Sequence, residues 1–221
     1  MVFIPLKKLL PADLIDLDSP SGINELDVCG LDEVGRGPWA GPIVACALMF
    51  KRPSHALRLP GLKDSKKLSA LKRQEFFEYL ERESFYGIGI TSPQEVDGLG
   101  LIKGNNLAFT RAIAQLASKH GRVPKFILVD GRDRLSLPHP WKTFIKGDEK
   151  IKIIACASIM AKVIRDRIMD DLAREFPAYG FANHKGYGTQ AHQQALKQHG
   201  ACPAHRKSFA PVHNLLQMTI E

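Results

Sequence analysis

No stretch of the 221 residues stays apolar for the roughly eighteen positions that a membrane-spanning helix needs, so a helical membrane protein is excluded and a soluble chain is expected. No secretory signal opens it either. In MVFIPLKKLLPADLIDLDSP the two lysines follow the apolar start instead of preceding it, and no small-residue cleavage site comes after. Cys-x-x-Cys pairs are absent. The four cysteines, Cys29, Cys46, Cys156 and Cys202, are widely spaced, and three sit in apolar runs where cysteine packs as a small hydrophobe. A reduced, cytoplasmic protein without disulfides is the expectation. Internal repeats and low-complexity tracts are also missing. Acidic residues are outnumbered, 23 Asp and Glu against 31 Lys and Arg, and the net charge of +8 favours an anionic partner, nucleic acid foremost.

What is present fits one globular domain over residues 25–221, preceded by an extension over 1–24 rich in turn-forming residues. Hydrophobic periodicity predicts strands over 26–34, 42–50, 85–91, 125–130 and 141–145. A helix is expected over 69–83, capped by Ser69, with Leu71, Phe76 and Leu80 on its inner face. Ser92-Pro93-Gln94-Glu95 carries a capping residue, a first-turn proline and a glutamate three residues after the cap, which together start another helix. Further helices are predicted over 101–119, closed by Gly121, over 151–176, and over 189–200. Strands followed by alternating strands and helices imply an α/β layer with a mixed sheet.

Three acidic features fall at or just beyond predicted strand ends: Asp32-Glu33 in GLDEVGRGPWAGP, Asp130 in VDG and Asp148 in KGD. Strand ends of an open α/β sheet are where crevices form. Carboxylates meeting there repel one another unless cations neutralise them, and oxygen-only ligands select hard ions, Mg²⁺ or Mn²⁺. Unconnected surface acids beside turn glycines are the alternative. Strand alternation sets a further condition: Asp32 and Glu33 cannot both face one site unless the chain bends after Asp32 or Glu33 serves through its carbonyl.

On the long helix over 151–176, Ile154, Ala157, Ala161, Ile164, Ile168 and Leu172 form an apolar stripe, with Ser158, Lys162, Arg165 and Asp166 beside it. Lys162 and Asp166 are four apart, which suits an intrahelical ion pair as well as a phosphate contact. Basic segments with hydroxyls, KDSKK, NHKGYGT and HRKSF, suit nucleic acid. His192, His199, Cys202 and His205 match no familiar zinc spacing.

Taken together, GLDEVGRGPWAGPIV, LKDSKKLS, ILVDG, KGDEKI with ASIMAKVIRDRIM, YGFANHKGYGT and HRKSFAPV resemble, in order and spacing, the motifs of bacterial type 2 ribonuclease H over residues 28–212. The resemblance implies a ribonuclease H-like fold: a mixed five-stranded sheet flanked by helices, with a C-terminal helical segment. It implies an endonuclease that hydrolyses RNA in RNA/DNA hybrids and nicks 5′ of ribonucleotides embedded in duplex DNA, leaving 5′-phosphate and 3′-hydroxyl ends. Asp32, Glu33, Asp130 and Asp148 correspond to the active-site acids, with two divalent ions, Mg²⁺ or Mn²⁺. Gly35, Arg36 and Gly37 correspond to the segment that reads the 2′-hydroxyl through its backbone, and Tyr187 to the tyrosine that stacks on the next sugar. Ser65, Lys66, Lys162 and Arg165 match positions near phosphates. A monomer is expected, and the ending NLLQMTIE lacks the paired aromatics of a sliding-clamp motif. A catalytically inactive binding protein, or another nuclease on the same scaffold, is the alternative function.

Overall fold

The computed structural model of the protein describes residues 23–52, 59, 61–62, 68–132 and 135–217. The expected N-terminal extension over 1–24 therefore lies almost wholly outside the described residues, as do Ser65 and Lys66.

Five strands form one sheet: β1 Val28–Val34, β2 Ile43–Phe50, β3 Ser84–Thr91, β4 Phe126–Asp130 and β5 Trp141–Phe144, in the order β3-β2-β1-β4-β5. β2 runs antiparallel to both of its neighbours, β1 and β3, whereas β4 joins β1, and β5 joins β4, in parallel. The mixed sheet is the expected one, and β1 is the strand on which the pairing changes sense. Every residue of β2 is buried, which is why its sequence IVACALMF is apolar without alternation.

Among the described residues, eight α-helices accompany the strands: α1 Ala70–Glu83, α2 Pro93–Leu99, α3 Leu101–His120, α4 Gly147–Lys150, α5 Lys152–Glu175, α6 Phe181–His184, α7 Gln190–His199 and α8 Ala210–Gln217. Local chemistry sets several boundaries. Ser69 accepts from the Lys72 amide at the start of α1, Ser92 and Glu95 complete a reciprocal capping box on α2, and α3 stops at Gly121 in a left-handed conformation.

The sheet is covered on both faces. One face packs Val28, Cys46, Leu48 and Leu128 against Phe76, Phe77 and Leu80 of α1 and Ile154, Ala157 and Ala161 of α5. The other packs Leu31, Ala45, Ile127 and Val129 against Ala108, Phe109, Ala112 and Leu116 of α3. Each such aliphatic or aromatic side chain contributes about 1.5–3 kcal/mol on burial. Three expectations change. Leu71 is 73% exposed, because it lies nine residues before Leu80, about two and a half turns, and so faces the other way. α5 is not a one-sided helix: every residue over 153–161 is buried, since its first half crosses the sheet at the centre of the molecule. Asp148 does not simply follow a strand but sits in the short helix α4. α8 belongs to the C-terminal helical segment that the resemblance implies, although its eight residues are too short a window for a periodic signal of their own.

Candidate active site

The register of β1 and β4 brings the first two acids together. Leu31 pairs with Val129, both facing α3, so Asp32 and Asp130 come next on two parallel neighbours and share the opposite face, toward α5. Asp148 joins them from α4. Carboxylate oxygens of Asp32, Asp130 and Asp148 all lie within 4.8 Å of one another. Two of the three are oriented by nearby donors. Asp32 accepts the Glu33 amide at 2.7 Å and the hydroxyl of Ser158 on α5. Asp130 accepts the Gly147 amide, at the first turn of α4, at 2.6 Å.

The cluster is electrostatically uncomfortable by itself. Asp32 is 4% exposed, and burial first, then the charges of Glu33 and Asp130, push its carboxyl well above the ordinary carboxylate range. An all-oxygen group in which Asp32 resists ionisation, through burial first and neighbouring negative charge second, is a site that a hard divalent cation would relieve. The three residues therefore fit such an ion.

Glu33 takes a different place from the one expected. The bend after Asp32 does not occur: β1 stays paired with β2 through Glu33↔Ala45 and Val34↔Val44. Strand alternation consequently sends the Glu33 side chain toward α3, where Asn105 donates to it and Arg36 Nη1 approaches Oε1 at 3.4 Å. Burial pushes Glu33 up to about 7, with Arg36 pulling down and Asp130 pushing up. Its Oε2 is buried without a hydrogen-bond partner, so this carboxylate is incompletely satisfied. Glu33 still lines the cleft, although outside the group of three.

That cleft, about 220 Å³, is lined by the four acids, Ser158, Gly35, Arg36, Gly37 and Tyr187. Three distant stretches of sequence make its second wall. Trp39 N donates to Gly186 O, Gly41 N to Ala204 O and Arg206 N to Trp39 O, each at 2.8 Å, tying the segment after Gly37 to the HKGYG and HRKSF loops. Gly35 has φ +102°, and a Cβ there would sit 2.3 Å from Arg165 Nε. Gly37 is different: a Cβ would meet only Tyr187, at 3.8 Å, so the protein itself leaves room for a side chain there.

Two arginines hold this wall from inside. Arg165, expected near phosphates, is instead fully buried and donates to the carbonyls of Pro42, Lys185 and Ala40 at 3.0, 3.0 and 3.2 Å. A signal for this was available, since Arg165 stands four residues after Ala161 and so continues the buried side of α5. Lys162, expected near phosphates as well, is paired with Asp166 at 2.7 Å, the intrahelical alternative, and does not line the cleft. Arg206, read as part of a basic segment, is also fully buried.

Histidines support the tyrosine loop. His192 Nδ1 donates to Tyr187 O at 2.9 Å, its Nε2 accepts from His205 Nε2 at 3.0 Å, and His205 Nδ1 accepts the Cys202 amide at 3.0 Å. That sequence of donors requires both rings to be neutral. Burial lowers His192 and brings His205 down to about 4, in agreement with neutral rings. The histidines and Cys202 thus form a hydrogen-bonded brace. Tyr187 itself is 48% exposed above it. Asn105 and this brace were missed in the sequence. Asn105 had a signal, as a polar residue in line with Ala108, Phe109 and Ala112 of α3, whereas the brace had none short of the fold.

Comparison with known proteins decides the relationship. The family model for ribonuclease HII matches residues 29–212. The chain belongs to the ribonuclease HII family. A ribonuclease HII of Syntrophotalea carbinolica is 46% identical over 86% of this chain and 88% of its own, and one of Polynucleobacter asymbioticus is 44% identical over 88% and 98%. Among solved structures, the ribonuclease H2 of Pyrococcus horikoshii is similar with a TM-score of 0.74 and 26% identity, covering 88% of this chain and 99% of that one. The protein is accordingly a hydrolytic endonuclease of the ribonuclease H class, acting on RNA/DNA hybrids. Its described residues contain no helix long and apolar enough to cross a membrane.

Proposed function

We propose that this ribonuclease HII nicks duplex DNA on the 5′ side of an embedded ribonucleotide, as well as cutting the RNA of longer hybrids, and leaves 3′-hydroxyl and 5′-phosphate ends. The observation that carries the proposal is the facing of two unlike walls across one cleft: carboxylates of Asp32, Asp130 and Asp148 on one side, and Gly35, Arg36, Gly37 and Tyr187 on the other.

Asp32, Asp130 and Asp148 would hold divalent cations, with Glu33 contributing from the neighbouring position, and we assign two ions, Mg²⁺ or Mn²⁺. When bound, they supply the activation of water and the stabilisation of the leaving 3′ oxygen. The chain's own residues do the rest. Ser158 and the Gly147 amide keep two of the carboxylates aimed into the cleft. Exposed Gly37 lets a ribose approach the backbone closely, so a 2′-hydroxyl can be read by peptide groups instead of side chains. Tyr187 offers a half-exposed ring on which the following sugar can stack. The +8 charge draws in the duplex, and the protein acts as a cytoplasmic monomer in ribonucleotide removal.

The test is a nicking assay with Mg²⁺ on three duplexes of one sequence: all-DNA, DNA with a single ribonucleotide, and an RNA/DNA hybrid. Cleavage of the second on the 5′ side of the ribonucleotide, with the first left intact, is the expected result. Cleavage of the hybrid alone would overturn the proposal.

A further inference from the structure

Arg206 has an unusual set of partners for a buried charge. Its Nε donates to Gly41 O at 3.0 Å, Nη1 to Arg36 O at 2.9 Å, and Nη2 to Gly35 O at 2.5 Å and Gly41 O at 2.7 Å. Every one of these acceptors is a neutral backbone carbonyl of the loop that follows β1. The ring of Phe209 lies 5.2 Å from the guanidinium carbon, and Arg165 stands nearby as a second fully buried guanidinium. Burying an arginine without a bonded carboxylate costs several kcal/mol, and an apolar side chain would fill the space at less cost. What the guanidinium does for the loop accounts for its presence.

In a trans peptide the C=O of one residue and the N–H of the next point in opposite directions. With the Gly35 carbonyl drawn inward to Arg206, the Arg36 amide points away from the guanidinium. With the Arg36 carbonyl drawn inward, the Gly37 amide points away as well. Two successive peptide groups are thereby turned the same way, carbonyls into the protein and N–H groups to the side where residue 37 is exposed beside Tyr187. Successive amides turned together make a concavity for an electron-rich oxygen.

We propose that Arg206 is a positioning residue for sugar recognition: by holding the carbonyls of Gly35 and Arg36, it aims the following amides at the 2′-hydroxyl of the ribonucleotide. The inference rests on the function proposed above and adds the residue that sets that selectivity. Arg206 does not touch the substrate. A lysine in its place keeps the charge but cannot hold three carbonyls in one plane.

The experiment compares the unaltered protein with Arg206→Lys, measuring affinity in EDTA for duplex DNA bearing one ribonucleotide and for its all-deoxy counterpart. The expected result is that the ribo/deoxy preference falls about tenfold in Arg206→Lys, as the loss of a recognition hydrogen bond would give, while affinity for the all-deoxy duplex is unchanged. A merely structural role would weaken both duplexes alike and leave the ratio where it was, which overturns the inference. Should the unaltered protein show no preference, the proposed function falls and this inference with it. If Arg206→Lys does not fold, the unaltered protein labelled with ¹⁵N answers instead. The Arg206 Nε resonance must move on addition of the ribonucleotide duplex and stay in place with the all-deoxy duplex, and an equal response to both overturns the inference.

Discussion

The two walls of the cleft are built on opposite principles. The acidic wall hangs on the ends of β1 and β4, neighbouring parallel strands with a fixed register, so two of its carboxylates are placed by the sheet itself. The wall of Gly35, Arg36, Gly37 and Tyr187 is made of loops, and its shape is maintained by polar groups buried behind it: Arg165, Arg206, His192 and His205. Burial acts at both walls, raising the carboxyls of the first, where neighbouring negative charge adds to it, and lowering the histidines and arginines of the second. A site suited to cations can leave its charges unrelieved, whereas a wall made of loops needs its backbone held still if it is to read a ligand, as proposed above.

The comparison breaks most sharply at the acids. Asp130→Asn keeps the shape of the side chain and removes its charge; cleavage should fall by about a thousandfold or more, while duplex affinity in a gel-shift assay stays within a few-fold, as expected when cation binding carries the chemistry. Retained activity would remove Asp130 from the site. Tyr187→Ala should act on the other wall alone: preference for a ribonucleotide junction should drop about tenfold, on the scale of one lost stacking contact, with an unchanged melting temperature because the ring is half exposed. A global loss of structure would count against the stacking role.

A smaller effect separates the walls by the sign of their pH dependence. Glu33 is held at about 7, above its ordinary value of 4.5, so without cations the folded state binds the extra proton between those values. Its contribution is full below about 4.5 and is lost as pH rises through 7. His205 runs the other way. Its value falls from 6.5 to about 4, so stability is full above 6.5 and is lost as pH drops toward 4. In EDTA, Glu33→Gln should make the melting temperature rise more steeply with pH between 4.5 and 7. His205→Gln should flatten the rise over the range 4 to 6.5. Each change should be a few degrees, since about 1 kcal/mol moves the midpoint of a domain this size by roughly 2–4 °C. Parallel shifts in the same direction would dissolve the distinction between the walls.

Much of the scaffold was legible because its signals are local. The capping box at Ser92 and Glu95, the stop at Gly121 and the apolar run of β2 each act within a few residues, and each element formed where expected. Leu71 was misplaced although its spacing of nine residues from Leu80 already put it on the opposite side of α1. Asp32, Asp130 and Asp148 could be singled out because strand ends are visible in the sequence, although the register that joins them is not. For Glu33 the alternation argument was sound and the anticipated bend was not: pairing with β2 through Val34 keeps the strand regular. Arg165 and Arg206 look, in sequence, like any basic residues near hydroxyls. The step from Ala161 marked Arg165 as lying on the buried side of α5, but nothing near either arginine says that its partners are carbonyls, most of them more than a hundred residues away.

The sequence by itself determined the five strands and the longer helices, the residue types available for cation binding and the preference for an anionic partner, because propensity, capping and net charge are properties of short segments or of the whole composition. Only the tertiary structure decided the strand order, the face on which Glu33 lies and the inward direction of two arginines. Those depend on which distant backbone groups must be satisfied once water is excluded, and that demand arises only when the chain has closed on itself.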